Sequence, residues 1–481
     1  MGLKQKLKKG KRTKNIYKFL YHWKYDGFKN AYVIFADDMR DDTKSNQIKQ
    51  NVVKMNGLSM DSYCLPEILL RNEQAKKKVS IYVCANTIYA PEKGHSGGPG
   101  TVVATQQQVF GESYAGIPCN YVFEKKPTRP AHLTRALSEM PISNRFIIAA
   151  YAIEYGLDIW KDLDRFNEYI FICHDVGTAY GAYLRKCRYI VVYHQQGALV
   201  PERVSNGDPM NERDIEVANA VEEVVFNNAD QVYFPSLGAR ETFKATTTMD
   251  YSNVKFADYA LYNTIPDSEL KPEEEECLIA DFKLSEEERK TTDVFLSIGD
   301  FSHHKAMERI PDFLREYYDK TGRKIYWIAI GRKLKTGIFE QLVEESVGYP
   351  FKVKLLGDRV SHDTILGLMN YSDYYIMLHR YSIFDLSTLE AMRAGTGIIL
   401  SNINGNTEYN QNNNVVLVDV ENYSEAVDEL RKRSKHLFAE LNQKTFEQFF
   451  SKKNFHQRYA RMIDEEMKRI GCVRKSAENW Q

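Results

Sequence analysis

The chain contains no Cys-x-x-Cys pair, and its seven cysteines, an odd number, are scattered from Cys64 to Cys472. That spacing excludes a zinc ribbon and argues against a disulfide framework; it fits a reducing cytoplasm. Charge of one sign is not in excess, because 65 Lys and Arg face 65 Asp and Glu. A general nucleic-acid surface needs a basic surplus, so nucleic acid is not expected as a partner. Long apolar runs are also missing. The most apolar segments are short and broken by charge, so neither a signal-peptide core nor a membrane-spanning helix is expected. What is present is a chain of 481 residues, 43% hydrophobic and 27% charged, the balance of a soluble globular protein with two or three domains.

One absence is local. No acid precedes Asp26, while Lys4, Lys6, Lys8, Lys9, Lys11, Arg12, Lys14, Lys18 and Lys24 alternate with Leu3, Leu7, Ile16, Phe19, Leu20 and Trp23. Residues 1–24 therefore read either as a segment lying on an anionic membrane surface or as a disordered basic tail. Asp37-Asp38 and Asp41-Asp42, set among polar residues, read as a solvated turn and not as a metal site.

From Val79 onward, short β-rich runs alternate with helical patterns, which predicts parallel sheets covered on both faces. The runs begin at Val79, Asn120, Tyr169, Tyr189 and Gln231. After an acidic break containing Pro272-Glu273-Glu274-Glu275-Glu276, they resume at Val294, Ile325, Val353, Tyr374, Ile398 and Val415. The expected organisation is a basic segment and unassigned extension (1–78), a first Rossmann-like domain (79–265), an acidic linker (266–292), a second Rossmann-like domain (293–436) and a C-terminal helical segment (437–481). Within 28–78 a strand is expected at Tyr32-Val33-Ile34-Phe35.

Four constellations carry chemistry. Phe384 to Tyr409 holds a helix start near Asp385 and Ser387, Glu390 one turn inside, a stop at Gly395, a buried strand and a second carboxylate, Glu408. Free N–H groups at such a helix start attract phosphate, and a nearby carboxylate accepts from sugar hydroxyls. Periodicity alone is equally satisfied by ordinary helix packing. Gly94-His95-Ser96-Gly97-Gly98-Pro99-Gly100, ahead of a helix expected near Val102, lets backbone approach a diphosphate or forms a plain turn; without Gly-Lys-Ser/Thr it is not a P-loop. His174-Asp175 and His194 follow strands, where they either reach a cleft or serve as structural residues. Gly299 to Lys305, and Gly331-Arg332-Lys333, place cations after two further strands, although a solvated loop also explains Arg332.

Glu390-Ala391-Met392-Arg393-Ala394-Gly395 resembles the second half of the donor-site signature of retaining glycosyltransferases of group 1, the family 4-like enzymes. In that pattern a Glu, seven residues and a second Glu lead into Ala-Met-x-x-Gly and a strand. The resemblance implies the α/β GT-B fold, two Rossmann-like domains facing across a cleft, here with an extra basic N-terminal segment, and a terminal helical segment, 437–481, that crosses back onto the first domain. It implies a nucleotide-sugar co-substrate with no cofactor and no metal, and transfer to a glycan, lipid-linked or protein acceptor at the cytoplasmic face of the membrane. Catalytic roles fall on His194, Lys305 and Glu390. Donor binding falls on Gly97, Gly98, Arg332, Ser382, Asp385, Leu386 and Ser387, and the acceptor side on His174 and Asp175. Three positions depart from the pattern: Ser382 stands for the first Glu, Asp300 for an Arg and Asp385 for a common Gly. They imply either a different sugar or a catalytically silent subunit that supports an active partner. An epimerase or phosphorylase is the remaining alternative.

Overall fold

The computed structural model describes residues 79–85, 98–123, 168–184, 187–206, 210, 212–267, 272–358 and 360–471. The basic segment, the Asp37 to Asp42 turn, the strand expected at Tyr32, Cys64, Gly97 and Cys472 lie outside them.

The first sheet runs β2-β3-β1-β4-β5-β6, with β1 Val79–Ala85, β2 Ser113–Tyr114, β3 Ile117–Phe123, β4 Glu168–Cys173, β5 Tyr189–Val192 and β6 Gln231–Tyr233. All its pairs are parallel except the short β2 hairpin against β3. Alternation along the strands splits the side chains between two cores. Ile170, Ile172, Ile190 and Val192 face one side, Phe171, Cys173, Tyr189 and Val191 the other. Cys84, Cys119, Cys173 and Cys277 are free thiols.

The second sheet runs β12-β11-β10-β7-β8-β9: β7 Thr292–Ile298, β8 Lys324–Ile330, β9 Lys352–Leu356, β10 Tyr374–Met377, β11 Gly397–Ser401 and β12 Val415–Val418. It is parallel throughout, and β10 and β11 are buried along their whole length, as expected for strands with helices on both faces. Counted from β7, the order is the doubly wound 3-2-1-4-5-6, which reverses between β7 and β10. In the first sheet it reverses between β1 and β4. Ligands in open α/β sheets bind beyond the carboxyl ends of strands at such switch points. The loops after β4, β7 and β10 therefore become the places to look.

Two local expectations are corrected. The helix after β1 begins at Gly98, not near Val102, so Gly98 is its first residue and no long glycine loop separates it from Val102. The terminal helical run is also not continuous. The helix Lys435–Thr445 packs on the second domain, the chain loosens into a π-turn at Phe446–Phe450, and the helix Lys452–Arg469 then seats Phe455, Tyr459, Met462 and Ile463 in the first domain's core. The break occurs where Phe450 inserts beside Phe384 and Tyr262, at ring separations of 5.3 and 5.6 Å.

Candidate functional site

The β7/β10 switch point gathers a compact charged cluster. Lys305, in the loop after β7, pairs with Asp385, the residue that opens the helix Leu386–Ala394. His379, at the end of β10, places Nε2 3.1 Å from the other Asp385 oxygen, and is buried, like His304. Burial opposes ionisation of Asp385, but Lys305 and His379 outweigh it and hold the carboxyl down at about 2. Burial also lowers His379 to about 4 and His304 to about 3, so both imidazoles are neutral at pH 7. One ammonium, one carboxylate and two neutral imidazoles thus meet at the strand ends.

Asp385 opens its helix without capping it. Its carboxylate turns to Lys305, and Ser387 Oγ shares a hydrogen with Tyr375 Oη at 2.8 Å, so among the described residues no side chain caps the first turn. First-turn amides such as those of Leu386 and Ser387 have no acceptor within their own helix, and without a cap from Asp385 they suit an anion. The backbone before them is strained. Phe384 has φ of 97°, in the left-handed region that a bulky side chain avoids. It is held there by stacking between Tyr409, 4.1 Å away, and Tyr262, 4.8 Å away.

Other expected site residues are placed differently from the sequence reading. Arg332 does not stand free to replace a missing cation: it grips Asp300 through both oxygens, the Nε to Oδ1 bond being 2.8 Å. Ser382 is buried, with its Oγ lacking a partner among the described residues, and is not on an open rim. Its carbonyl lies where a Cβ on Gly405 would come within 2.2 Å, so only glycine fits opposite it. Glu408 is not part of the ligand cluster. It crosses to the first domain and accepts the N–H groups of Leu237 and Gly238, at 3.0 and 2.5 Å, capping the helix Leu237–Thr246.

His174 and His194 form one unit. His174 Nε2 bonds Gln106 Oε1 at 2.8 Å and its Nδ1 bonds His194 Nε2 at 2.9 Å. Burial depresses both, His194 to about 4, so both are neutral. With the amide oxygen accepting, His174 must donate from Nε2 and accept at Nδ1, which makes His194 the donor between them. His174 is therefore buried with both ring nitrogens engaged inside the protein. Asp175 accepts the Thr178 N–H at 2.8 Å and caps the helix Val176–Leu184.

Glu390 is nearly buried and accepts from His362 Nε2 at 2.7 Å. That hydrogen bond raises the His362 pKa despite burial. A group raised on folding stabilises most below its unfolded value, about 6.5, and that contribution is lost as pH rises through the folded one. The melting temperature should accordingly fall by on the order of 1–3 °C between pH 6 and pH 8, and this slope should be absent in His362→Gln. Equal slopes in the two proteins would remove His362 from the account. Sequence reasoning gives no role to His304, which lies within the Gly299 to Lys305 stretch, and does not single out His362 or His379. The last was detectable by the rule that singled out His174 and His194, a histidine at the carboxyl end of a parallel strand.

Across the cleft, Ser205 of the helix Leu199–Ser205 meets His304 Nδ1 at 2.9 Å, and Asn263 Nδ2 donates to the Phe384 carbonyl at 3.1 Å. The first domain thereby touches the residues that flank Lys305 and Asp385. Among the described residues, no group of three or more His, Cys, Asp or Glu side chains could hold a metal ion. No helix of the described residues is long and apolar enough to cross a membrane.

Two Rossmann-like α/β domains in contact along a cleft define the GT-B fold. Residues 280–445, which include the whole β7/β10 site, match the family model described as glycosyl transferases group 1. No curated protein matches the chain in sequence. Among solved structures, the chain is similar to a sucrose-phosphate synthase from Thermosynechococcus elongatus, with a TM-score of 0.58 and 13% identity, over 82% of this chain and 100% of that one. It is also similar to an α,α-trehalose-phosphate synthase (UDP-forming) from Burkholderia vietnamiensis, with a TM-score of 0.52 and 11% identity over 83% and 100%. A third, the E. coli trehalose-6-phosphate structure bound with UDP-2-fluoro glucose, gives 0.52 and 13% over 80% and 99%. At these identities the likeness establishes the fold.

Proposed function

We propose that the chain is a glycosyltransferase that moves a sugar from a nucleoside diphosphate to a glycan, lipid-linked or protein acceptor, with retention at the anomeric carbon. One observation carries the reading: Lys305 and the uncapped start of the Leu386–Ala394 helix flank the β7/β10 switch point, inside the span that matches the group 1 model. The UDP-2-fluoro glucose in the E. coli neighbour supports a nucleotide-sugar donor. Cleaving a sugar–diphosphate bond builds negative charge on the leaving phosphate. A fixed ammonium and helix N–H groups stabilise that charge without reorganising at the moment of reaction. Asp385 keeps the ammonium in position, and His379 and His304, both neutral, can donate or accept beside it. His194, oriented by His174 and Gln106, serves the sugar from the first domain, and Glu390 accepts from donor hydroxyls in exchange for His362. The acceptor oxygen forms the new bond as the anomeric C–O bond breaks, and its proton passes to the departing diphosphate.

A second reading rests on its own observation. Two cations at these strand ends, Arg332 and Lys305, are paired internally with Asp300 and Asp385, two of the positions that depart from the group 1 pattern. A silent GT-B subunit supporting an active partner would carry such a neutralised site. Thermal shift against uridine, guanosine, adenosine and thymidine diphosphate sugars separates the two. The enzyme reading expects one donor to raise the melting temperature, and the rise to vanish in Glu390→Ala. A cooperatively melting protein that responds to none of them supports the silent subunit.

A further inference from the structure

Beyond β10, β11 and β12 lies a cavity of about 490 Å³ that the site described so far does not use. Arg309, Arg380, Tyr381, Asn402 and Asp419 line it, with Val418 and Val420 as an apolar wall. A space of this size accommodates a small ligand such as a monosaccharide derivative.

Its charges are unusual for a fold to maintain without a ligand. Arg309 occupies the position before the helix Ile310–Thr321, where the positive end of the helix dipole disfavours a cation. Among the described residues its guanidinium makes no hydrogen bond or ion pair, and its backbone N–H donates to the Ala306 carbonyl at 3.1 Å. Burial and the like charge of Arg380 both lower the affinity of its guanidinium for its proton. Of the acids nearby, Glu421 is exposed and acts on Arg309 only through its charge. Glu308 holds Arg380, and an Asp419 oxygen accepts the Glu421 N–H at 3.0 Å. The Asn402 side-chain amide and the Tyr381 hydroxyl have no partner among the described residues, and both residues are exposed. The cavity thus offers an unpaired guanidinium and a second beside it, together with neutral groups suited to hydroxyls and an apolar wall suited to a sugar face.

It is coupled to the candidate active site through one segment. The Arg380 N–H donates to the His304 carbonyl at 2.8 Å, and its guanidinium donates to the His303 carbonyl at 2.6 Å; Lys305 follows directly. On the other side His379 contacts Asp385.

We propose that this cavity binds the anionic group, phosphate or carboxylate, of a sugar substrate, with Arg309 as its principal contact and Arg380 beside it. This rests on the glycosyltransferase reading for the word substrate, whereas the binding itself does not. Asp419 on the wall favours a ligand whose remainder carries hydroxyls over one that is anionic throughout.

The test is calorimetric titration with inorganic phosphate, then with glucose 6-phosphate, glucuronate and glucose, and separately with uridine diphosphate. Saturable binding of phosphate and of at least one anionic sugar is expected, with glucose weaker by tenfold or more. Arg309→Gln should weaken the anions by about tenfold, the loss of one charge-assisted contact, and Arg309→Lys should restore part of it. Asn402→Ala should weaken the sugars but not inorganic phosphate. Preference for glucose 6-phosphate over glucuronate assigns the anion as phosphate, and the reverse assigns carboxylate. The inference is overturned if no anion binds saturably or if Arg309→Gln binds anions like the wild type. It is equally overturned if Arg309→Gln weakens uridine diphosphate as much as the anionic sugars, since the cavity would then belong to the donor site. Failure of the glycosyltransferase reading has a different signature, in which nucleotide sugars do not bind while anionic sugars still do.

Discussion

Replacing Lys305 with alanine is expected to lower turnover by on the order of 10²–10³, because removing one preorganised donor from a site of developing charge costs about that much. The same change should destabilise the protein. Lys305 and Asp385 are both largely buried, with side-chain exposures of 12% and 14%, and taking one partner from a buried pair strands the other at a cost of roughly 3–5 kcal/mol. The two effects can be separated with Lys305→Ala/Asp385→Asn. The amide removes the stranded charge, so most of the stability should return while turnover stays low. If the double variant recovers both, Lys305 acts only as structural support for Asp385. The pH dependence has a definite sign. The Asp385 carboxyl is depressed to about 2, so its contribution to stability is complete above the unfolded value near 4 and disappears as pH falls through 2. Acid unfolding of Asp385→Asn should therefore be shallower than that of the wild type over this range.

A second large effect is expected at Phe384. The ring is buried between Tyr409 and Tyr262, and Phe450 abuts its edge, so Phe384→Ala should cost about 3–5 kcal/mol. The φ of 97° supplies an internal control. Alanine remains strained in that conformation and glycine does not, so Phe384→Gly should be roughly 1 kcal/mol more stable than Phe384→Ala, although it buries less apolar surface. Denaturant midpoints measure both. A glycine variant no more stable than the alanine variant would show that the backbone strain is not stored there. Activity should fall in both, because the ring stack fixes the loop that delivers Asp385 to Lys305 and that accepts Asn263 from the first domain.

The placement of Phe384 also explains why the Phe384 to Tyr409 stretch was only partly legible. Its helix, the stop at Gly395 and the buried strand follow from local rules: an N-terminal polar residue, a glycine with φ of 78° after the last turn, and a continuous apolar run. Asp385 suits a helix start on the same rules, yet its carboxylate leaves the helix because a lysine 80 residues earlier in the chain offers a stronger, charge-assisted partner. Glu408 goes to a helix start in the other domain for a similar reason. Two oriented N–H groups there satisfy a carboxylate that burial would otherwise penalise. The Asp300–Arg332 pair likewise depends on β7 and β8 lying side by side, with the Gly299 carbonyl so close to Gly331 that a Cβ would meet it at 1.6 Å.

The sequence by itself determined the alternation of strands and helices, the two-domain α/β class and the segments that end at the cleft, because hydrophobic period and turn chemistry act over a few residues. The tertiary structure alone decided which carboxylate neutralises which cation, which histidines are buried and neutral, and where the last helix crosses between domains. Those outcomes depend on distance and desolvation between groups far apart in the chain, and neither quantity exists until both sheets have packed.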